Sequence, residues 1–272
     1  MKRGGIDMVS SLLDPAGSGP ADDGIARVTI GGLPITALDR ARTARMMCEA
    51  ARQRPRGRRP LYLTSANGEV LARCYRDAAM AKLFLAADQI AADGQPMVIA
   101  SRHLCATALP ERVATTDLFH DVARLAQAEG LSFYMLGATE DENARAVAAV
   151  RALYPNLEIA GHCHGYLTGG LLDDKIAEIN ALRPDILWLA MGVPHEQRFM
   201  AEHGEKLTGV GVVKTSGGLF NFLSGRNRRA PAWMQAAGLE WLWRIGQEPT
   251  RLFGRYFVTN PIAILAMVRA SA

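Results

Sequence analysis

The sequence predicts an α/β fold: a mainly parallel, Rossmann-like sheet sandwiched by helices, with a helical appendage at its carboxyl end. Three observations carry this expectation. Short apolar runs alternate with segments of helical period between residues 61 and 215, the pattern of parallel strands joined by crossover helices. Most of these runs stop in small polar residues or glycine, as strands do at the edge of an open sheet where ligands sit. Beyond Gly225 the composition shifts to arginine and tryptophan in a helical-looking tail. With 272 residues, 49% hydrophobic and 21% charged, the chain can bury a sizeable core and has a globular composition.

In chain order, residues 1–24 are rich in Gly, Ser, Asp and Pro and predict a flexible segment ahead of an α/β core over 25–225. Residues 27–35 read as a short strand and turn. A helix is expected over 37–52, and 54–60 form a basic, proline-bounded linker. The run 61–63 ends in Thr64, Ser65 and Asn67; the run 89–92 ends in Asp93-Gly94. Read plainly, Asn67 is a helix cap and Asp93-Gly94 a turn. Two such endings so close together also suit a site at strand ends. A helix is expected over 96–105.

From Thr116 the pattern is regular. Leu118, Val122, Leu125 and Ala126 mark a helix that stops at Gly130, and the strand 132–136 ends in Gly137. A helix with acidic first-turn residues Glu140, Asp141 and Glu142 follows, so Gly137 opens a candidate diphosphate cradle. A strand near 157–160 and a helix over 173–182 come next. The strand 186–190 ends at Met191-Gly192, and the strand 211–213 ends at Ser216-Gly217-Gly218. Residues 226–272 form the basic, aromatic appendage, with Trp233, Trp241, Trp243, Tyr256 and Phe257 among arginines. Such rings settle at a membrane interface. Arg244, Arg251 and Arg255, spaced by seven and four, share one helical face if the helix runs unbroken through Pro249.

Charge and cysteine usage narrow the function classes. Net charge is +4, with eight arginines between Arg40 and Arg59 and six between Arg226 and Arg255. Clustered arginine suits phosphate, anionic lipid or nucleic acid; its plain alternative is a solvated surface. Cys48, Cys74, Cys105 and Cys163 form no CxxC pair and read as reduced thiols of a cytosolic protein. His162 and His164 would share a strand face, but no further ligand cluster completes a metal site, so no metal and no cofactor are expected. The first residues lack a signal-peptide core, and no apolar run is long enough to span a bilayer. No GxGxxG turn is present, which argues against a dehydrogenase.

One set of segments carries a resemblance by its order and spacing. It comprises Thr64-Ser65-Ala66-Asn67, Ala92-Asp93-Gly94-Gln95-Pro96, Gly192-Val193-Pro194-His195-Glu196-Gln197, Gly217-Gly218-Leu219-Phe220-Asn221-Phe222 and Arg229-Ala230-Pro231-Ala232-Trp233. The tail Gly238-Leu239-Glu240-Trp241-Leu242-Trp243-Arg244, with Glu248-Pro249-Thr250-Arg251 and Arg255-Tyr256, completes it. So arranged, the chain resembles the WecG/TagA/CpsF family of bacterial glycosyltransferases over residues 28–256. The resemblance implies a metal-independent, inverting enzyme of surface polysaccharide biosynthesis. It would move a hexosyl or N-acetylhexosaminyl group from a UDP-sugar to a polyprenyl-diphosphate-linked saccharide. It implies Asp93 as general base, with Thr64 or Ser65, and Asn67, beside it. Gly94, Gly137, Gly192, Glu196, Gln197, Gly217, Gly218, Phe220 and Asn221 fall to the substrate site. Arg244, Arg251 and Arg255 fall to the acceptor diphosphate and the membrane. Two departures stand out: His195-Glu196-Gln197 replaces the common lysine-glutamine-glutamate, and Asn221 replaces a common aspartate. Whether Glu196 or Gln197 meets the donor is therefore open.

The chemistry is coherent with these residues. Inverting transfer needs a carboxylate to take the acceptor hydroxyl's proton as that oxygen attacks the anomeric carbon, and Asp93 beside Gly94 can serve. The leaving nucleoside diphosphate can be stabilised by backbone N–H groups at Gly137, Gly192 and Gly217-Gly218 and by the tail arginines. The expected protein is cytoplasmic and peripheral on the inner face of the cell membrane, with no nucleic-acid partner and with homo-oligomerisation left open. The competing readings are a basic α/β nucleic-acid-binding module and another nucleotide-binding protein without glycosyl transfer.

Overall fold

The computed structural model describes residues 24–272; apart from Gly24, the expected flexible segment lies outside them. In chain order the elements are β1 (Arg27–Ile30), β2 (Leu33–Thr36), α1 (Arg40–Gln53), β3 (Leu61–Ala66), α2 (Gly68–Arg76), α3 (Ala78–Leu85), β4 (Gln89–Ala92), α4 (Gln95–Leu104), α5 (Thr115–Glu129) and β5 (Ser132–Gly137). There follow α6 (Glu140–Leu153), β6 (Glu158–Cys163), α7 (Gly169–Leu182), β7 (Ile186–Ala190), α8 (His195–His203), β8 (Val212–Thr215), α9 (Leu219–Leu223), α10 (Ala232–Ala236), α11 (Glu240–Gln247) and α12 (Pro249–Arg269). The fold is α/β, with an antiparallel β1–β2 hairpin and a six-stranded sheet of order β4-β3-β8-β7-β5-β6. The chain divides into two compact units. One holds residues up to Asp39, Ser65–Ala114 and Arg229–Ala272; the other holds Arg40–Thr64 and Thr115–Arg228.

In the second unit β3, β8, β7, β5 and β6 pair in parallel, with Val212 opposite both Leu61 and Ile186, and Phe133 opposite Ile186. Every residue of β5, β7 and β8 is buried. That explains why these strands read as continuous apolar runs rather than alternating ones. Edge strand β6 has no fully buried residue and carries the weaker signal. Phe119 of α5 packs edge-on to Trp188 at 4.8 Å and to Phe133 at 5.8 Å between ring centroids, all three fully buried. Asn143 of α6 ties strand ends together: its Nδ2 donates to the carbonyls of Met135 (3.1 Å), Gly137 (3.0 Å) and Cys163 (2.8 Å). Its Oδ1 lies 2.9 Å from His162 Nδ1, and His164 Nδ1 accepts the Tyr166 N–H. The two histidines that suggested a metal thus serve the backbone and Asn143.

The first arginine cluster is also largely spoken for. Arg40 pairs with Asp117 and Asp121, Arg52 with Glu129, Arg56 with Asp185 and Arg59 with Glu205. These are carboxylates brought from elsewhere in the second unit, which the sequence pattern around residues 40–59 does not contain. The Arg56–Asp185 pair is the most enclosed, and Asp185 also accepts the Ser132 N–H.

In the first unit the hairpin buries Val28, Ile30, Leu33 and Ile35, and α12 packs along α2. Ala263 approaches within 3.6 Å of where a Gly68 side chain would begin, so the two helices meet through small residues. Leu252, Tyr256, Ala263, Ala266 and Met267 are the buried stripe of α12, a helical 3–4 spacing. The last residues clasp the hairpin: Gly32 N–H donates to Ala270 O at 2.7 Å, Gly31 N–H to Ser271 Oγ at 3.1 Å, and Ala272 N–H to Thr29 O at 3.0 Å.

Two tail expectations are corrected here. The helix does not run through Pro249: α11 ends at Gln247, Glu248 is extended at φ −137° and ψ 65°, and α12 restarts with Pro249 in its first turn. Proline lacks an N–H and drives the residue before it out of the α region, so Arg244 and Arg255 lie on different helices. Tyr256 is buried rather than interfacial, packed against Trp241 at 5.9 Å with the Arg255 guanidinium 5.0 Å above its ring. Arg251 lies on α12, but its side chain falls outside what the structure describes.

Candidate active site

The expected site residues fall into two clusters, one in each unit. In the first unit the endings of β3 and β4 come together, as their sequence predicts. Asp93 N–H donates to Ala66 O at 2.8 Å, and a side chain added at Gly94 would lie 3.5 Å from the Asn67 backbone. Asn67 caps α2, its Oδ1 accepting the Val70 N–H at 3.1 Å. The plain reading of Asn67 as a cap therefore holds. Gly94 caps α4 without a side-chain bond, with Pro96 in the first turn.

Asp93 keeps 23% of its side chain exposed and sits against Arg112, whose Nη2 is 3.4 Å from Asp93 Oδ1. The same Nη2 donates to Glu240 Oε2 of α11 at 2.6 Å. Glu240 Oε1 in turn lies 3.1 Å from Arg229 Nε. Burial lowers the Arg112 pKa, but the Asp93 and Glu240 carboxylates outweigh it, and the net direction is upward. Nearby, Arg255 Nη1 reaches Glu69 Oε2 on α2 at 3.1 Å, and Glu69 also receives Arg73 at 2.6 Å. Arg255 is thus held by a carboxylate two residues beyond Asn67. Arg244 lies half-buried on α11.

The second unit gathers Thr64, Glu196, Gln197, Thr215 and Gly217 at the carboxyl ends of β3, β7 and β8. Gln197 Nε2 donates to Thr64 Oγ1 at 3.2 Å and to Glu196 Oε1 at 3.3 Å. The Thr64 and Thr215 hydroxyls are 2.8 Å apart. Glu196 Oε2 accepts the Gly217 N–H at 2.9 Å, where Gly217 has φ +56°, a conformation natural to glycine. Lys214, fully buried on β8, donates to Thr215 O at 2.6 Å. Burial pushes the Glu196 carboxyl upward, while the Gly217 N–H, the Lys214 ammonium and the Gln197 amide pull against it. Both Glu196 oxygens are engaged, whereas Gln197 Oε1 is a buried acceptor with no partner. Thr64 and Phe220 are fully buried, Phe220 as part of the core. Gly192 precedes the cis Val193–Pro194 bond and α8, which has no side-chain cap bond. Gly218 and Asn221 lie at the start of α9, with Asn221 half-buried.

The Gly137 turn is close-packed. A side chain there would sit 2.2 Å from Ala190 O, at φ +141°, so only glycine fits. The amino end of α6 is closed by a capping box: Thr139 Oγ1 accepts the Glu142 N–H and Glu142 accepts the Thr139 N–H. Arg226 pairs with Glu142 there. At the Gly137 turn the N–H groups of Ala138, Thr139 and Glu142 already have partners, and at the head of α8 the Glu196 N–H donates to Gly192 O at 3.1 Å.

Comparison with known proteins identifies the setting of these residues. The model of the glycosyl transferase WecG/TagA/CpsF family matches residues 28–272. The chain belongs to this family. Among curated relatives it is 29% identical, over 70% of this chain and 72% of the relative, to an N-acetylglucosaminyldiphosphoundecaprenol N-acetyl-beta-D-mannosaminyltransferase of Bacillus subtilis strain 168. It is 28% identical, over 68% and 71%, to proteins of the same name from Staphylococcus aureus strains MRSA252 and NCTC 8325 / PS 47. Family membership makes the chain a glycosyltransferase and bears out the resemblance read from the motifs.

Sequence reasoning missed Arg112, Glu69 and Lys214, and passed over Glu240 as one letter of a motif. Arg112 lies nineteen residues after Asp93 in a loop with no periodic signal, and its partner Glu240 is 128 residues further on. Lys214 sits in a run otherwise apolar, GVVKT. A lone lysine inside a predicted central strand was the one signal available, since such a charge needs a buried partner.

Proposed function

We propose that this glycosyltransferase moves a sugar from a UDP-sugar to a polyprenyl-diphosphate-linked saccharide, with inversion and without a metal, using Asp93 as general base. The observation that carries the reading is Asp93 itself, a partly exposed carboxylate at the end of β4, beside Asn67 and Arg112. Its position suits a base: the acceptor hydroxyl gives its proton to the Asp93 carboxylate while its oxygen bonds to the anomeric carbon, and the bond to the diphosphate oxygen breaks. The names of the relatives support a lipid-diphosphate-linked acceptor. Glycine turns at Gly192 and Gly217-Gly218, with Gln197 and Asn221, are the proposed donor-diphosphate and donor-sugar contacts. Backbone N–H groups and arginine are the proposed stabilisers of the leaving group.

The appendage from Arg226 onward is proposed to rest on the membrane where the acceptor lies. Among the described residues no helix is long and apolar enough to cross a membrane. Yet α12 exposes Phe253, Phe257, Val258, Ile264 and Val268, and Trp233 is 66% exposed before it. Apolar bulk flanked by arginine is the composition of an interfacial helix.

The test is direct transfer. A panel of UDP-sugars, headed by UDP-N-acetylmannosamine, is offered with a short-chain polyprenyl-diphosphate N-acetylglucosamine acceptor. Asp93→Asn preserves shape and removes the base, and transfer should fall about 10²- to 10⁴-fold. A folded Asn variant turning over within about threefold of wild type, well short of that range, excludes Asp93 as the base.

A further inference from the structure

The appendage contributes a carboxylate to the group that touches the proposed base. Arg112 Nη2 stands between two acceptors, at 2.6 Å from Glu240 and 3.4 Å from Asp93. The shorter contact is the stronger charge-assisted bond, so the guanidinium is held mainly by Glu240. The other Glu240 oxygen is paired with Arg229, whose Nε lies 3.1 Å away. All four side chains are at most about a quarter exposed, so their interactions are poorly screened. We propose that Glu240 is a positioning residue for the transfer reaction: by taking the larger share of Arg112 it keeps that arginine from engaging Asp93 fully, and so preserves Asp93 as a proton acceptor. This inference rests on the reading of Asp93 as the base.

The arrangement has a physical logic. An arginine closely paired with a catalytic carboxylate stabilises its ionised form and makes it a poorer base. A second carboxylate satisfies the guanidinium while leaving it within reach. Because that carboxylate lies at the start of α11, the sharing of Arg112 between Asp93 and Glu240 depends on the appendage being in place.

Among the described residues, ion pairs link Asp93 to Arg112, Arg112 to Glu240 and Glu240 to Arg229, and Glu240 and Arg229 can be changed with opposite consequences. Glu240→Gln is nearly isosteric and releases Arg112 towards Asp93. Transfer at the pH plateau should fall about tenfold, and the acid limb of the kcat profile should move down by roughly one pH unit. Glu240→Asp keeps the charge and should leave the acid limb in place. Arg229→Gln frees Glu240 to draw Arg112 further away, so the limb should move upward. These profiles are measured on the full chain with the short-chain acceptor, which removes membrane binding from the rate, and thermal melts monitor folding.

Limbs that stay put in both Glu240→Gln and Arg229→Gln, or move the same way, overturn the proposal and reduce Glu240 to a packing contact. If Glu240→Gln does not fold, the upward shift in Arg229→Gln, present or absent, decides alone. Failure of the underlying reading is separate, since it shows as an active Asp93→Asn protein.

Discussion

Glu196 carries the sharpest consequence at the scale of single residues. Its carboxyl is pushed upward by burial, so ionising it in the folded state costs more than in the unfolded chain. Such a group leaves stability intact below the unfolded carboxyl range and withdraws it as pH rises towards the folded value. Glu196→Gln removes that dependence. The stability difference, Gln variant minus wild type, should therefore grow in favour of the variant between pH 4 and pH 8, read from urea midpoints. A difference flat with pH would mean that Lys214 and the Gly217 N–H already compensate the burial in full. Gly137 gives a second test: Gly137→Ala places a methyl 2.2 Å from Ala190 O at φ +141°. We expect a loss of about 3 kcal/mol or more, as for other positions that combine overpacking and backbone strain. An alanine variant melting within a degree of wild type would show that β5 and β7 can part at no cost. Cys48 and Cys74 are free, buried thiols, pushed up to about 12 by burial.

At the scale of elements, α12 has two apolar sides with different work to do. The inner stripe of Leu252, Tyr256, Ala263, Ala266 and Met267 is core of the first unit, and the clasp on the hairpin holds its end. Burying each of the larger side chains contributes roughly 1.5–3 kcal/mol, against a typical net stability of about 5–15 kcal/mol. Deleting 247–272 should therefore destabilise the first unit, rather than simply release a membrane anchor. The outer side separates the two roles. Phe253→Ser with Phe257→Ser changes residues that are 62% and 75% exposed and stacked on one another at 6.3 Å. Sedimentation with anionic liposomes should drop several-fold, since each exposed ring offers bulk to an interface, while the melting temperature stays within a few degrees. Unchanged sedimentation would return those rings to ordinary surface.

For the whole molecule the proposal to test is that transfer needs no metal. Transfer should survive exhaustive treatment with EDTA, because backbone N–H groups and arginines are proposed to meet the diphosphate charge. Loss of activity on chelation, restored by Mn²⁺ or Mg²⁺, would overturn that part of the mechanism. The proposed membrane association would be electrostatic as well as apolar, at roughly 1 kcal/mol per basic residue near an anionic surface. Raising salt should therefore weaken liposome binding before it affects transfer to a short-chain acceptor.

The amino-acid sequence by itself determined the class of fold and the identity of the strand-end residues. Continuous apolar runs such as Ile186–Ala190 have no other use than a doubly covered strand. The breaks at Asn67, Asp93-Gly94 and Gly217 are local chemistry that the chain must express wherever it folds. Tertiary structure alone decided which charges meet. Asp93, Arg112, Arg229 and Glu240 come from four separate segments. No period or spacing records a contact between residues 128 positions apart, because side-chain pairing at that range follows from how α11 docks, not from local propensity. The same reason dissolved the arginine cluster at residues 40–59 into ion pairs with Asp117, Asp121, Glu129, Asp185 and Glu205. Lys214 stands between the two cases. Its presence in a buried strand implied a partner, and only the fold put the Thr215 carbonyl on its ammonium and the Glu196 carboxyl within its field.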